Sequence, residues 1–152
     1  MTFTVLLNVP RKPGLSPHEF KHHWENVHVP LLKQLVGYDF PLSHTRHYVE
    51  RNLPSSPTSP MFGPALDSSE IAAANTLLSL GDVDGVAVLT FANKEHYERF
   101  MGKLADGKKR KAIEKDLESF VDVNANRAVF AGETRATGRD GGMVGWRFVG
   151  SV

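Results

Sequence analysis

Hydrophobic positions along the chain change their spacing several times, which predicts short strands joined by amphipathic helices. Residues 2–9 are rich in apolar and β-branched types, as expected for a first strand. A helix is predicted to begin after Ser16, because Ser16 and Glu19 can form a capping box around Pro17. The buried face of this helix is predicted to carry the apolar residues that recur at intervals of three and four: Phe20, Trp24, Val27, Leu31 and Leu35.

The helix is expected to be disturbed in its middle and followed by a strand with two chemically different faces. Pro30 lacks a backbone donor, so a kink or break is predicted beside His28, and Gly37 is predicted to end the helix. Residues 42–50 read as the second strand. Alternation places His44, Arg46 and Tyr48 on one face and Thr45, His47 and Val49 on the other.

The second half repeats the strand–helix pattern. Residues 84–91 are nearly all apolar and predict a central third strand. Asn93 can cap the next helix, and residues 108–120 predict another helix with Ile113, Leu117 and Phe120 inward and its charge run in solvent. Residues 121–131 predict the fourth strand.

Two segments fall outside this pattern. Residues 52–80 read as an insertion, with a loop rich in proline and serine at 52–64 and a short helix at 68–80. Residues 132–152 form a glycine-rich C-terminal arm, in which 143–149 could be an edge strand or cover a neighbouring chain. Neither segment indicates a second domain, so residues 1–152 are predicted to form one.

The order of elements predicts an α+β fold of the ferredoxin-like βαββαβ type. Right-handed crossovers then give a four-stranded antiparallel sheet with the helices on one face. The other face would be bare, and a second copy of the chain could cover it. We therefore expect a homodimer whose two sheets enclose a pocket.

Composition narrows the possible functions. A net charge of +1 gives no electrostatic reason to expect nucleic acid or an anionic membrane as a partner. The absence of cysteine excludes disulfides and thiolate chemistry. No apolar run reaches the roughly 20 residues of a membrane span, and no signal peptide is evident, so a cytoplasmic protein is expected.

The candidate chemistry lies between residues 15 and 49, where all the histidines except His96 are found. An imidazole at the predicted kink, that of His28, can transfer protons at neutral pH. The alternative is a histidine on the helix surface. His44, Arg46 and Tyr48 would be costly to bury together without a ligand, and a guanidinium suits a planar anion. The alternative is an edge strand whose outer face is exposed to solvent. The sequence leaves open which face looks inward.

A metal site is the competing interpretation of so many histidines. His18 and His22 are four residues apart, and His44 and His47 are three apart. However, no HExxH pattern occurs, and neither a dinucleotide-binding nor a P-loop motif is present. No nucleophile elbow of a hydrolase is present either. We therefore expect no metal and no cofactor.

The run RKPGLSPHEFKHHWENVHVPL resembles the EthD-like family of dimeric α+β barrel proteins, through the turn at residues 11–16, then Phe20, Trp24, His28 and Pro30. More narrowly, the SHTRHYV strand and the proline- and serine-rich insertion resemble fungal decarboxylases of aromatic polyketide pathways. That resemblance implies a cofactor-free enzyme that removes carbon dioxide from an acid similar to atrochrysone carboxylic acid. Relatives on the same fold include cyclases and cofactor-free monooxygenases.

The resemblance and the residues lead to one hypothesis about the site. Arg46 or a histidine would orient the carboxylate, and His28 or His44 would hydrogen-bond the ketone and supply the proton. The catalytic candidates are His28, His44, Arg46 and His47. The substrate-binding candidates are Trp24, Tyr48, Phe3, Phe91 and His23. A cofactor-free anthrone monooxygenase and a non-catalytic binding protein for polycyclic aromatics are the alternatives.

Overall fold

The computed structural model describes residues 2–49, 83–132, 135 and 137–142. The predicted insertion at 52–80 and the predicted edge strand at 143–149 lie outside the described residues. Within them the chain forms four strands: β1 (Phe3–Val9), β2 (Ser43–Tyr48), β3 (Gly85–Phe91) and β4 (Arg127–Ala131). The helices are α1 (Pro17–His23), α2 (Val29–Val36), α3 (Lys94–Leu104) and α4 (Gly107–Phe120).

The four strands form one antiparallel sheet in the order β2-β3-β1-β4. The central strands are β3, as predicted, and β1, and their register pairs Val5 with Leu89 and Leu7 with Ala87. The helices pack on the face that carries Val5, Ala87, Leu89 and Phe91, all of which are buried. The ferredoxin-like α+β fold predicted from the order of elements is confirmed.

The predicted ends of three helical segments are confirmed. Ser16 Oγ accepts from the backbone N–H of Glu19, and the Glu19 carboxylate accepts from the N–H of Ser16 at 2.7 Å. Asn93 Oδ1 accepts from the N–H of His96 at the start of α3. Gly37 ends α2 with a φ of 57°, a left-handed value that favours glycine.

The expected break beside His28 is instead a π-helical turn, Trp24–His28, between α1 and α2. The N–H of Val29 reaches back five residues to the carbonyl of Trp24. Pro30 lies in the first turn of α2, where its missing N–H costs least. The disturbance lies where the sequence predicted it, but the helix is not broken there, because a wider turn absorbs the disturbance without ending the helix.

The π turn changes which residues face the sheet. In a regular α-helix, residues spaced four apart are each rotated slightly further around the helix axis. The wider π turn rotates the following residues back in the opposite sense. The buried residues are therefore Phe20, Trp24, His28, Leu32 and Val36. The predicted inward position of Val27 is wrong, since this residue is 42% exposed, whereas His28 is 8% exposed.

The fourth strand is shorter than predicted, because residues before Arg127 form an irregular turn after α4. Ile113 and Phe120 are buried on the inner side of α4, as predicted, and Leu117 packs against the same core. Within the described residues, no helix is long and apolar enough to cross a membrane.

Candidate active site

A cavity of about 160 Å³ lies between the helices and the sheet of a single chain. Its walls come from the helical segment before Gly37, from α3 and α4, and from β1, β2 and β3. Most of the lining side chains are apolar: Leu7, Val9, Leu32, Leu89, Phe100, Leu104, Ile113, Leu117 and Phe120. The cavity therefore lies on the other side of the sheet from the pocket that the sequence predicted between two copies.

His28 forms part of the cavity wall, and a buried carboxylate holds its ring. Nδ1 of His28 lies 2.6 Å from Oδ2 of Asp116, which α4 brings in from the other side of the helical layer. The ring also lies against Phe120, with centroids 5.1 Å apart. Because Asp116 engages Nδ1, Nε2 is the nitrogen left to interact with a ligand.

Asp116 holds a second histidine with its other oxygen. Nε2 of His23 lies 2.8 Å from Oδ1, and the His23 ring stacks on Phe120. Burial alone would raise the pKa of Asp116, but the hydrogen bonds from His28 and His23 outweigh it and lower that pKa. Asp116 is thus a carboxylate at neutral pH, able to stabilise positive charge on either imidazole.

His44 reaches the cavity from β2. Its ring lies 6.4 Å from the indole of Trp24 between centroids, and Nδ1 is buried with no hydrogen-bond partner among the described residues. Desolvation by burial, and then the positive charges of Arg46 and His28, lower the pKa of His44 to about 4. At neutral pH, His44 is therefore an uncharged imidazole.

Arg46 lies on the same strand face as His44 but does not line the cavity. Its Nε and Nη2 donate to the two carboxylate oxygens of Glu25 at 2.8 and 3.0 Å, and Tyr48 Oη donates to Oε1 at 2.5 Å. The hydrogen bonds from Arg46 and then from Tyr48 lower the pKa of Glu25. The guanidinium predicted to bind a substrate carboxylate therefore already holds a carboxylate of the protein.

The nine residues predicted for the site have different positions in the fold. Trp24, His28 and His44 line the cavity, and His23 lies behind it on Asp116. His47 is exposed on the opposite face of β2, so the structure does not bring this candidate to the cavity. The aromatic candidates Phe3, Phe91 and Tyr48 contact other aromatic rings: Tyr97 and Phe130 for Phe3, Tyr97 and Phe100 for Phe91, Trp24 and Phe20 for Tyr48.

Two polar residues at the site were not predicted. Asp116 was read as part of the charged outer face of α4, and Asn126 was placed within the fourth strand. Asn126 lines the cavity, and its Oδ1 is buried without a partner among the described residues. The spacing of Asp116 offered one signal, since it follows Ile113 by three residues and precedes Phe120 by four, on the same helix face.

His18 and His22, the first histidine pair considered for a metal site, are exposed. The rings of His18 and His22 stack on the outer surface of α1, with centroids 6.4 Å apart. Across residues 2–49 and 83–132 and the short described stretches after them, no group of three or more His, Asp or Glu side chains could hold a metal ion.

Comparison with known proteins identifies the family. The EthD domain model matches residues 12–124, well over half of the chain. A search of the curated proteins found no match. The chain is similar to an ethyl tert-butyl ether D (EthD) family protein from Bacillus halodurans, with 14% identity and a TM-score of 0.48 over 88% of this chain and 100% of that chain.

A second solved structure is a dimeric ferredoxin-like protein of unknown function from Thermobifida fusca. It has 11% identity and a TM-score of 0.46, over 86% of this chain and 90% of that chain. The family match takes in the helix with His28, the strand with His44 and the helix with Asp116. The chain belongs to the EthD domain family.

Proposed function

We propose that this EthD domain is a decarboxylase of an aromatic polyketide β-keto acid, similar to atrochrysone carboxylic acid, and that it uses no cofactor. The observation that carries the proposal is the hydrogen bond between Asp116 and Nδ1 of His28, at the wall of an apolar cavity. A buried imidazole oriented by a carboxylate is suited to give and accept a proton at the wall of such a cavity.

The reaction makes a limited chemical demand on the protein. When the bond between the α-carbon and the carboxylate breaks, carbon dioxide leaves and the electron pair moves into the ketone, which becomes an enolate. A donor at the ketone oxygen stabilises that developing charge, and one proton must finally reach the α-carbon. Because the ketone itself accepts the electron pair, an acid–base group and a suitable cavity are sufficient.

His28 is assigned both tasks. In its protonated form, Nε2–H donates to the ketone oxygen while Asp116 accepts from Nδ1–H and balances the positive charge. The same nitrogen then supplies the proton that replaces the carboxyl group. His44 is uncharged at neutral pH, so it serves as a hydrogen-bonding partner and not as the cation that faces the carboxylate.

The histidines, and not Arg46, are left to orient the substrate carboxylate. Arg46 is held outside the cavity by Glu25, which also accepts from Tyr48, and this pairing fixes the π turn to strand β2. A carboxylate bound beside His28 at the cavity wall is therefore surrounded mainly by apolar side chains. Loss of carbon dioxide disperses its charge, and so the surroundings favour the transition state over the bound acid.

We also propose that the protein acts as a homodimer. The sheet face away from the helices carries Leu6 and Val129, which are 38% and 59% exposed. A second copy is the expected cover for that face. The cavity belongs to one chain, so each copy would hold its own site.

The test is an anaerobic assay of metal-stripped protein with an aromatic β-keto acid, following the mass of the product. The proposal expects loss of one carbon dioxide without oxygen or metal. His28→Gln should lower kcat by about 10²- to 10⁴-fold, the usual contribution of general acid catalysis. Asp116→Asn should lower kcat substantially, because the amide keeps a hydrogen bond to the ring but removes the charge that stabilises the imidazolium.

His47→Gln is the matched control, since His47 is an exposed histidine on the opposite face of β2. It should keep the wild-type rate. Product that forms only with oxygen and from the anthrone would instead indicate a monooxygenase. Tight binding of the acid without any product would indicate a binding protein. If His28→Gln keeps more than about a third of the wild-type rate, His28 is not the acid.

A further inference from the structure

We propose that the cavity receives one hydroxylated aromatic ring, and that Asn126 and His44 recognise the hydroxyl groups of that ring. The inference rests on the proposed function in taking this ring to be the aromatic ring next to the reacting end of the acid. It goes beyond that function in stating how much of the acid enters the cavity and which side chains select it.

The size of the cavity sets the first limit. Its volume is about 160 Å³. An apolar protein cavity of about 150 Å³ accommodates one benzene molecule. A single six-membered ring therefore fills the space between the helices and the sheet. The fused rings of a larger substrate must lie outside it.

The walls favour a flat, apolar molecule. Leu32, Leu89 and Ile113 line the cavity from three different elements, and the rings of Trp24 and Phe120 form further parts of the wall. Burying an aromatic ring against such side chains is favourable because it removes apolar surface from water. A flexible or strongly polar ligand gains much less from this environment.

Two polar side chains interrupt the apolar lining and lack partners. Oδ1 of Asn126 and Nδ1 of His44 are buried, and neither is hydrogen-bonded to any described residue. A buried polar atom without a partner destabilises the fold, so a ligand that supplies the missing bond gains affinity. Rotation of the Asn126 amide can direct either its oxygen or its nitrogen towards the cavity.

A hydroxyl group satisfies both side chains better than a charged group does. It donates one hydrogen bond and accepts others, so it can pair with the amide oxygen of Asn126 and with an uncharged imidazole. The nearby guanidinium of Arg46 offers no free fork to an anion, because Glu25 occupies it. The cavity therefore selects a neutral phenolic ring over an unsubstituted ring of the same size.

The test measures binding of small rings to the full chain by calorimetry, with benzene, phenol and 1,3-dihydroxybenzene as probes. The inference expects affinity to rise with each hydroxyl, by about three- to tenfold per group, the usual net value of a hydrogen bond. Competition should show that one ring and an intact tricyclic phenol cannot be bound together. Equal affinities for benzene and 1,3-dihydroxybenzene would overturn the inference.

A pair of asparagine variants shows whether the discrimination arises at Asn126. Asn126→Leu keeps the approximate size of the side chain without its amide, and should lower affinity for 1,3-dihydroxybenzene about three- to tenfold while benzene binds as before. Asn124→Leu, at an exposed position two residues earlier, should change neither affinity. If Asn126→Leu does not fold, Asn126→Ala is measured instead. An unchanged preference for the hydroxylated ring in the Asn126 variant would contradict the assignment.

The outcomes separate this inference from the proposed function. Selective binding of hydroxylated rings, with no carbon dioxide released from any β-keto acid, would leave the inference standing and remove the decarboxylase. Release of carbon dioxide without any preference among the rings would support the decarboxylase and overturn the inference about ring recognition.

Discussion

Replacing His44 with phenylalanine should make the stability of the fold less dependent on pH. His44 lines the cavity from β2 and has a buried Nδ1 without a partner among the described residues. Burial, followed by the charges of Arg46 and His28, lowers its pKa from 6.5 to about 4. The unfolded chain keeps the ordinary value, and so it binds a proton at a higher pH than the folded chain does.

The sign and size of the effect follow from that difference. Well above pH 6.5 both states hold a neutral His44, and this residue causes almost no pH dependence. As the pH falls towards 4, the unfolded state gains a proton that the folded state does not, so the free energy of unfolding decreases. Between pH 7.5 and pH 5, the loss due to His44 is about 2 kcal/mol.

Urea unfolding followed by circular dichroism at pH 7.5, 6.5 and 5 measures this contribution. The wild-type free energy of unfolding should fall by about 2 kcal/mol more than that of His44→Phe over this range. His44→Asn, which stays polar but does not titrate here, should show the same flattening and so separate titration from hydrophobicity. If wild type and both variants lose stability in parallel, the burial of a neutral His44 is refuted.

Two further predictions concern the packing and the positioning of the site. A Cβ at Gly85 would lie 2.5 Å from Cζ3 of the Trp24 indole, so Gly85→Ala should lower the free energy of unfolding in urea by about 1–3 kcal/mol. Gly102→Ala is the control, because a Cβ there has open space, and equal stabilities of the two variants would contradict the packing. His23→Gln should keep most of kcat, because its amide can still donate a hydrogen bond to Asp116. His23→Leu loses that hydrogen bond, so it should lower kcat and alter the pH profile of kcat with little change in KM. Identical kinetics of the two variants would show that His23 does not position Asp116.

Most of the fold could be predicted from the sequence, because it depends on local signals that act over a few residues. The capping box at Ser16, the cap at Asn93 and the left-handed Gly37 each define the end of a helix. Alternation along β2 correctly placed His44 and Arg46 on one face. The order of strands and helices then restricted the topology to the one observed.

The site was harder to predict, because it depends on contacts between distant parts of the chain. Asp116 meets His28 across 88 positions of sequence, and nothing near either residue indicates the other. The pairing of Arg46 with Glu25 is a similar case, and it changed the expected role of the guanidinium. His28 faces the core in place of Val27, because the π turn has more residues per turn than the 3.6 that the prediction assumed.

The most direct test of the account is the release of labelled carbon dioxide by the anaerobic, metal-stripped enzyme from a β-keto acid labelled with ¹³C in its carboxyl group. The account predicts one labelled carbon dioxide for each acid consumed by wild type and by His47→Gln. It predicts a rate lower by about 10²-fold or more for His28→Gln. Absence of label from the gas phase, or equal rates for wild type and His28→Gln, would contradict it.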